Sequence, residues 1–197
     1  MNPNTQYEVP TLNQIYDMLL SQAQKIHAAP YHPDLIVAIA RGGLIPARIL
    51  GDLLQIPELT VIQVEFYTDI AKTRQQPTLK LGLTTSIQGK KTLLVDDISD
   101  TGKTLQLAKN HLTQHGAAEI KTATLYTKPQ SIDTPDYYEK QTSRWVVFPW
   151  DAKETVRKIA QGAEGKRALN REIGKLVKAG LPVQLAERFL SEATGEQ

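Results

Sequence analysis

Leu93-Leu94-Val95-Asp96-Asp97-Ile98-Ser99-Asp100-Thr101-Gly102-Lys103-Thr104 decides how this chain folds. Three apolar residues run into two adjacent carboxylates. A third carboxylate follows, then a small polar turn, then a run of helical character from Thr104 to His115. The apolar residues predict a buried strand, and the turn predicts the start of a helix. Buried strands seldom end in acidic residues unless something binds there, and in open α/β sheets ligands sit beyond the carboxyl ends of the strands. The turn offers backbone N–H groups and hydroxyls at a helix N-terminus, a natural phosphate site. The carboxylates suit a metal-bound sugar hydroxyl or a developing positive charge. A phosphorylated sugar fits both chemistries.

Other readings of this stretch account for less of it. Gly102-Lys103-Thr104 invites comparison with the phosphate-binding loop of nucleotide hydrolases. That motif needs a glycine five positions before its Gly-Lys pair, where this chain has Asp97. A carboxylate there would face the triphosphate. Paired aspartates after a strand also occur in phosphoacceptor receiver domains, but near the start of a compact domain, whereas here a long segment precedes Asp96. A solvated acidic turn explains Asp96 or Asp97 alone, not three carboxylates followed by Thr-Gly-Lys-Thr.

Outward from this stretch, strands and helices alternate. Thr11–His27 carries Leu12, Ile15, Tyr16, Leu19, Leu20, Ala23 and Ile26 on one helical face, with Thr11 as N-cap. Leu35–Ala40 reads as a strand, Arg41-Gly42-Gly43 as a turn, Leu44–Leu54 as a helix and Thr60–Phe66 as a strand. Tyr67–Leu81 is polar and reads as a mobile loop. Thr92–Val95 is the strand of the opening stretch, and Lys103–His115 a helix ended by Gly116. Lys121–Tyr126 reads as a strand, Ile132–Gln141 as a polar connection and Arg144–Phe148 as a last strand, closed by Pro149-Trp150-Asp151. Such alternation implies a mainly parallel sheet, flanked by helices, with right-handed crossovers.

The chain has 197 residues, 41% of them hydrophobic, enough for a real core. It has no cysteine, which excludes disulfides, thiol chemistry and cysteine-ligated metal, and is compatible with a cytoplasmic location. The polar start, Met1-Asn2-Pro3-Asn4-Thr5-Gln6, is not a signal peptide, and no apolar run is long enough to cross a bilayer. The net charge of +2 does not argue for nucleic acid. Residues 152–197 change character: they hold nine Lys/Arg and six Glu and give no strand signal. Two or three helices fit, broken at Gly162–Gly165 and at Gly180-Leu181-Pro182. The expected division is therefore 1–151 and a helical C-terminal extension, 152–197, with a subunit contact as its preferred role.

Ala40-Arg41-Gly42-Gly43-Leu44 offers exposed N–H groups, close backbone approach and the Arg41 charge, which together suit an anion. His111 and His115 stand i, i+4 on one helix, a zinc-compatible spacing. No third ligand is evident, which disfavours metal there. His27 and His32 read as surface or helix-end residues.

The opening stretch closely resembles the phosphoribosyl pyrophosphate (PRPP) signature of the type I phosphoribosyltransferases. That signature is an apolar run, two acidic residues, two variable positions, an Asp or small residue, then Thr-Gly-x-Thr. The resemblance covers residues 10 to 151 and implies that family's α/β fold with a small base-binding hood. It implies Mg²⁺-dependent transfer of a phosphoribosyl group from PRPP to a purine, in purine salvage. Arg41, Gly42 and Gly43 would then hold pyrophosphate. Ser99, Thr101, Gly102, Lys103 and Thr104 would seat the 5′-phosphate. Asp96 and Asp97 would bind ribose hydroxyls directly or through Mg²⁺, and Asp100 would manage the N7 proton of the base. Lys72 or Arg74 would reach the phosphates as the 67–81 loop closes.

Lys128 is by itself a snorkelling surface lysine; in the 6-oxopurine branch of the family a lysine there donates to O6 of hypoxanthine, guanine or xanthine. Trp145-Val146-Val147-Phe148-Pro149-Trp150-Asp151 resembles the base-binding segment of xanthine–guanine-type enzymes. Trp145 is the stacking candidate, Val146 the backbone contact and Asp151 a ligand for a second Mg²⁺. Packing of Trp145, Val147 and Phe148 against the sheet and N-capping by Asp151 are the plainer alternatives. The family also implies a homodimer or a higher homo-oligomer. A nucleotide-sensing regulator that contacts nucleic acid, and a transferase for adenine or a pyrimidine, are the competing functions; Lys128 and Trp145–Asp151 favour a 6-oxopurine enzyme.

Overall fold

A computed structural model describes residues 5–67 and 76–195, with the side chains of Phe66 and Tyr67 excepted. The elements are β1 (Tyr7–Glu8), α1 (Leu12–Ala28), β2 (Leu35–Ala40), α2 (Leu44–Leu53), β3 (Leu59–Tyr67), β4 (Gln76–Leu81), β5 (Lys91–Val95), β6 (Ile98–Ser99), α3 (Lys103–Gln114), β7 (Glu119–Thr127), β8 (Tyr137–Gln141), β9 (Trp145–Val146), α4 (Ala152–Gly162), α5 (Lys166–Lys178) and α6 (Val183–Thr194). They fall into two compact units, 16–142 and 1–15 with 143–197.

The first unit holds a seven-stranded sheet in which β4, β3, β2, β5 and β7 are successive neighbours and β8 also pairs with β7. All pairings are parallel except β3 with β4. β2 and β5 are buried along almost their whole length, which is why their sequences are continuous apolar runs rather than alternating ones. Leu35, Val37 and Ile39 point to one face, where they pack with Ile62, Leu94, Leu105, Ala108 and Leu112 beneath α3. Each such burial contributes about 1.5–3 kcal/mol. α2 lies on the opposite face, with Gly51 over the Ile36 side chain.

Three expectations are corrected. Gln76–Leu81 is not loop but an antiparallel edge strand on β3. Its Pro77 and exposed, charged surface hid it, and both are tolerated only at an edge. The rest of the expected mobile loop, 68–75, lies outside the described residues. Tyr137–Gln141 is likewise a strand, parallel to β7. Its entry is fixed by Asp136, whose carboxylate accepts from Thr122 N and Oγ1 at 2.8 and 2.9 Å and from Lys121 Nζ at 3.0 Å. Burial alone would raise the Asp136 pKa, but these donors outweigh it and hold it below the ordinary value. Arg144–Phe148 is not a strand of the main sheet; only Trp145–Val146 is extended, and it pairs in parallel with Tyr7–Glu8.

The second unit is built on that two-residue ladder and α4, α5 and α6. Its core contains Tyr7, Val147, Ala152, Val156, Ile159, Ile173, Leu176, Leu181 and Ala186. One carboxylate is buried within it. Glu172, 3% exposed, accepts from Lys175 Nζ at 2.9 Å, Tyr7 Oη at 3.3 Å and Arg171 Nε at 3.4 Å. Burial opposes its ionisation, yet these donors together lower its pKa. Tyr7 is pushed up to about 12, first by burial and then by the Glu172 charge and hydrogen bond. Among the described residues no helix is long and apolar enough to cross a membrane.

Candidate active site

The chain leaves β2 for β3 on one side, whereas β5 lies on the other side of β2 and leads on to β7. The loops that follow β2 and β5 therefore diverge from neighbouring strands. That is the switch point at which open α/β sheets hold ligands. The loop after β2 is Arg41-Gly42-Gly43, and the one after β5 begins with Asp96 and Asp97.

These two loops are in contact, and both glycines are required for it. A Cβ on Gly42 would collide with the Asp97 carboxylate, and one on Gly43 with the backbone oxygens of Val95 and Ile39. Gly43 N donates to Ile39 O at 2.9 Å as α2 begins. Arg41 is exposed at the tip, and its peptide bond with Ala40 is cis. Asp96 and Asp97 are 9% and 7% exposed, and Asp97 N donates to Asp96 Oδ1 at 2.9 Å.

The acidic turn does not hang free beyond the sheet. Asp96 N donates to Ala123 O, Leu125 N and Tyr126 N to Asp97 O, and Lys128 N to Ser99 O, all between 2.9 and 3.1 Å. Pairing with β7 thus continues through both aspartates into β6. Gly102 then takes φ 78°, a left-handed value that favours glycine, and caps α3 with no side-chain cap bond. The first-turn N–H groups of α3 have no acceptor within the helix, and Lys103 N lies 3.4 Å from Thr101 Oγ1. Thr101 and Asp100 are exposed; Lys103 and Thr104 are partly so. The Ser99 hydroxyl points elsewhere: it is 2% exposed and bonds to Ser131 Oγ at 2.8 Å and Asp133 O at 3.0 Å.

Lys128 directly follows β7 and is 8% exposed, so it is not the surface lysine its sequence context suggests. A buried ammonium is costly without partners and is not placed by solvation. After it, Lys128-Pro129-Gln130-Ser131 forms a turn closed by Ser131 N to Lys128 O at 3.1 Å. Sequence reading missed Gln130, Ser131 and Asp133, which face the 99–102 loop. A lysine followed by Pro-Gln-Ser carries a turn signal, with proline at its second position, but nothing in it names the neighbour.

In the second unit, Trp145 is 57% exposed while Val147 and Phe148 are buried. Trp145 therefore does not serve the core packing that Val147 and Phe148 do. Phe148 and Trp150 stack at 4.9 Å between centroids. Asp151 occupies the N-cap position of α4, without a side-chain cap bond. Lys72 and Arg74 lie outside the described residues. His111 and His115 have centroids 4.1 Å apart, with His111 Nε2 accepting from Leu83 N at 3.4 Å. No group of three or more His, Cys, Asp or Glu able to hold a metal occurs among the described residues. The adjacent buried carboxylates of Asp96 and Asp97 are the kind of donor pair that binds Mg²⁺ together with waters and substrate phosphate.

Comparison with known proteins agrees with this geometry. A xanthine-guanine phosphoribosyltransferase of Nitratidesulfovibrio vulgaris (strain Hildenborough) is 34% identical over 120 residues, which are 60% of this chain and 69% of that protein. The purine phosphoribosyltransferase of Pyrococcus horikoshii superposes with a TM-score of 0.68 at 38% identity, covering 74% of this chain and 94% of that one. The Helicobacter pylori xanthine-guanine-hypoxanthine phosphoribosyltransferase shares the fold, with a TM-score of 0.65 at 18% identity, over 77% of this chain and 98% of that one. Residues 10–156 match the phosphoribosyl transferase domain, a span that takes in both diverging loops and the α3 N-terminus, and the chain belongs to that family of transferases.

Proposed function

We propose that this protein transfers the phosphoribosyl group of PRPP to a 6-oxopurine, giving a nucleoside 5′-monophosphate and pyrophosphate. The observation that carries the reading is the contact between Gly42-Gly43 and Asp96-Asp97 at the switch point, with the Gly102 turn opening α3 on the same loop. A phosphate-seeking helix start and a pair of buried carboxylates on one loop match the two ends of a ribose 5-phosphate.

In this reading Thr101, Gly102, Lys103 and Thr104 seat the 5′-phosphate through first-turn N–H groups and hydroxyls. The backbone of Ser99 shapes that loop. Arg41, Gly42 and Gly43 hold the pyrophosphate, with Lys72 or Arg74 assisting. Asp96 and Asp97 fix the ribose hydroxyls, and their charge stabilises the cationic sugar that forms as the anomeric bond breaks. Asp96 or Asp97 would hold Mg²⁺, and Asp151 a second ion, and the bound metal would neutralise charge on the leaving pyrophosphate. Asp100 is the catalytic residue that accepts the N7 proton. Lys128 donates to the purine O6, because an ammonium has only donors and opposes the amino group of adenine. Trp145 stacks on the base and the Val146 backbone reads its 2-position. Cytoplasmic purine salvage by a homodimer is the setting this reading implies.

The test is base consumption with PRPP and Mg²⁺ across hypoxanthine, guanine, xanthine, adenine and uracil. Turnover of 6-oxopurines without adenine is expected. Turnover of adenine or uracil would keep the chemistry and overturn the role of Lys128. PRPP binding with no turnover of any base would overturn the enzyme reading in favour of a nucleotide-sensing regulator.

A further inference from the structure

Asp100 is bracketed by backbone. Its two neighbours both accept from the turn that follows β7: Lys128 N donates to Ser99 O at 2.9 Å, and Ile132 N to Thr101 O at 3.0 Å. Between these anchors the turn Lys128-Pro129-Gln130-Ser131 is closed on itself by Ser131 N to Lys128 O. Proline at its second position presets the backbone.

Side chains add further ties. The Ser99 and Ser131 hydroxyls meet at 2.8 Å, and each also bonds to Asp133 O, at 3.0 and 2.9 Å. Lys109, on α3, grips both oxygens of Asp133 at 3.0 and 3.1 Å. A Cβ on Gly102 would lie 2.5 Å from Asp133 N and 2.7 Å from Ser131 Oγ, so the two loops are in close contact. The third residue of this fixed turn is Gln130, and its Nε2 donates to Asp100 Oδ1 at 3.2 Å.

We infer that Gln130 is a positioning residue for Asp100. Its amide engages Asp100 Oδ1, so that the second oxygen would be the one to take the base proton. It touches no reacting atom and acts only through Asp100, so the inference rests on the role given to Asp100 above. The turn explains how an exposed glutamine holds a direction: its backbone is tied on both sides of the residue it orients.

Gln130→Glu is the decisive variant, because it keeps the shape and replaces the donor with a second carboxylate. We expect kcat to fall about tenfold or more in Gln130→Glu and about threefold to tenfold in Gln130→Ala. KM for PRPP and for the base should stay within about twofold, and the melting temperature should not move. A merely structural residue on this exposed turn would leave kcat insensitive to the isosteric change. Wild-type kcat in Gln130→Glu, alongside lost turnover in Asp100→Ala, would overturn the inference and leave the reaction assignment standing. Wild-type turnover in Asp100→Ala would overturn the role of Asp100 and the inference with it. A rise in KM for PRPP at constant kcat would also overturn it, by moving Gln130 to substrate binding.

Discussion

The α/β unit and the helical unit both bury acidic side chains, and they do so for different ends. In the helical unit Glu172 is enclosed by Tyr7, Lys175 and Arg171, so its oxygens are spent on the unit's own structure. In the α/β unit Asp96 and Asp97 are buried where two loops diverge, and the helix that follows is capped by Gly102 with no side-chain cap bond. A buried carboxylate saturated by neighbouring donors holds a fold together. One set at a sheet's switch point beside a glycine turn stands at the position where open α/β sheets hold ligands.

That contrast can be broken by substitution. The largest effect is expected from Asp100→Ala, which should lower kcat by about 100-fold or more while the melting temperature stays within about 2 °C. Steady-state kinetics and a thermal melt on one preparation check both halves. Gly43→Ala should do the reverse and strike stability first. Its new Cβ meets backbone oxygens of Val95 and Ile39, which cannot move aside as side chains do. A loss of about 3 kcal/mol is expected from chemical denaturation.

Glu172→Ala should cost about 2 kcal/mol, or about 4–8 °C in melting temperature, because Tyr7 keeps a buried hydroxyl without its acceptor. Glu172→Gln, which preserves shape, should cost less. An unchanged melt in Glu172→Ala would remove the structural half of the comparison.

The smallest effect concerns pH. Asp136 has a lowered pKa in the folded protein, held there by Lys121 and Thr122 against burial. Its contribution to stability is therefore complete above the unfolded carboxylate value near about 4 and is lost as pH falls through the folded value. In Asp136→Asn, the stability difference from wild type should be greatest at neutral pH and shrink towards about pH 3. Urea midpoints across that range test it. Tyr7 runs in the opposite sense, its contribution being lost as pH rises from 10 through about 12.

The two apolar runs of the sequence show what could be read and what could not. Leu93–Val95 and Trp145–Phe148 look alike as short hydrophobic strands. The first sits between β2 and β7 with hydrogen bonds on both sides. The second pairs, among the described residues, with Tyr7–Glu8 alone and is extended for two residues. Apolar content predicts burial, but strand length depends on how much backbone a neighbour offers, and that neighbour is distant in sequence. Edge strands escaped for the converse reason. Gln76–Leu81 and Tyr137–Gln141 are polar because one side faces water, while their backbones still pair along one edge with β3 and β7.

Sequence alone determined the alternating α/β pattern, the helical character of the stretch after Asp151 and the loop from Asp96 to Thr104, whereas the compact units join 1–15 with 143–197. The features read from sequence are local: apolar period, glycine placement and charge order report directly on strands, turns and helix starts. Tertiary structure decided that Gly42 lies on Asp97, that Lys128 is buried, that the Ser99 hydroxyl is turned to Ser131, and that Gln130 reaches Asp100. Each is a meeting of residues from different loops, fixed by the sheet order and by backbone hydrogen bonds between strands. No periodicity in one segment can encode which other segment will lie beside it.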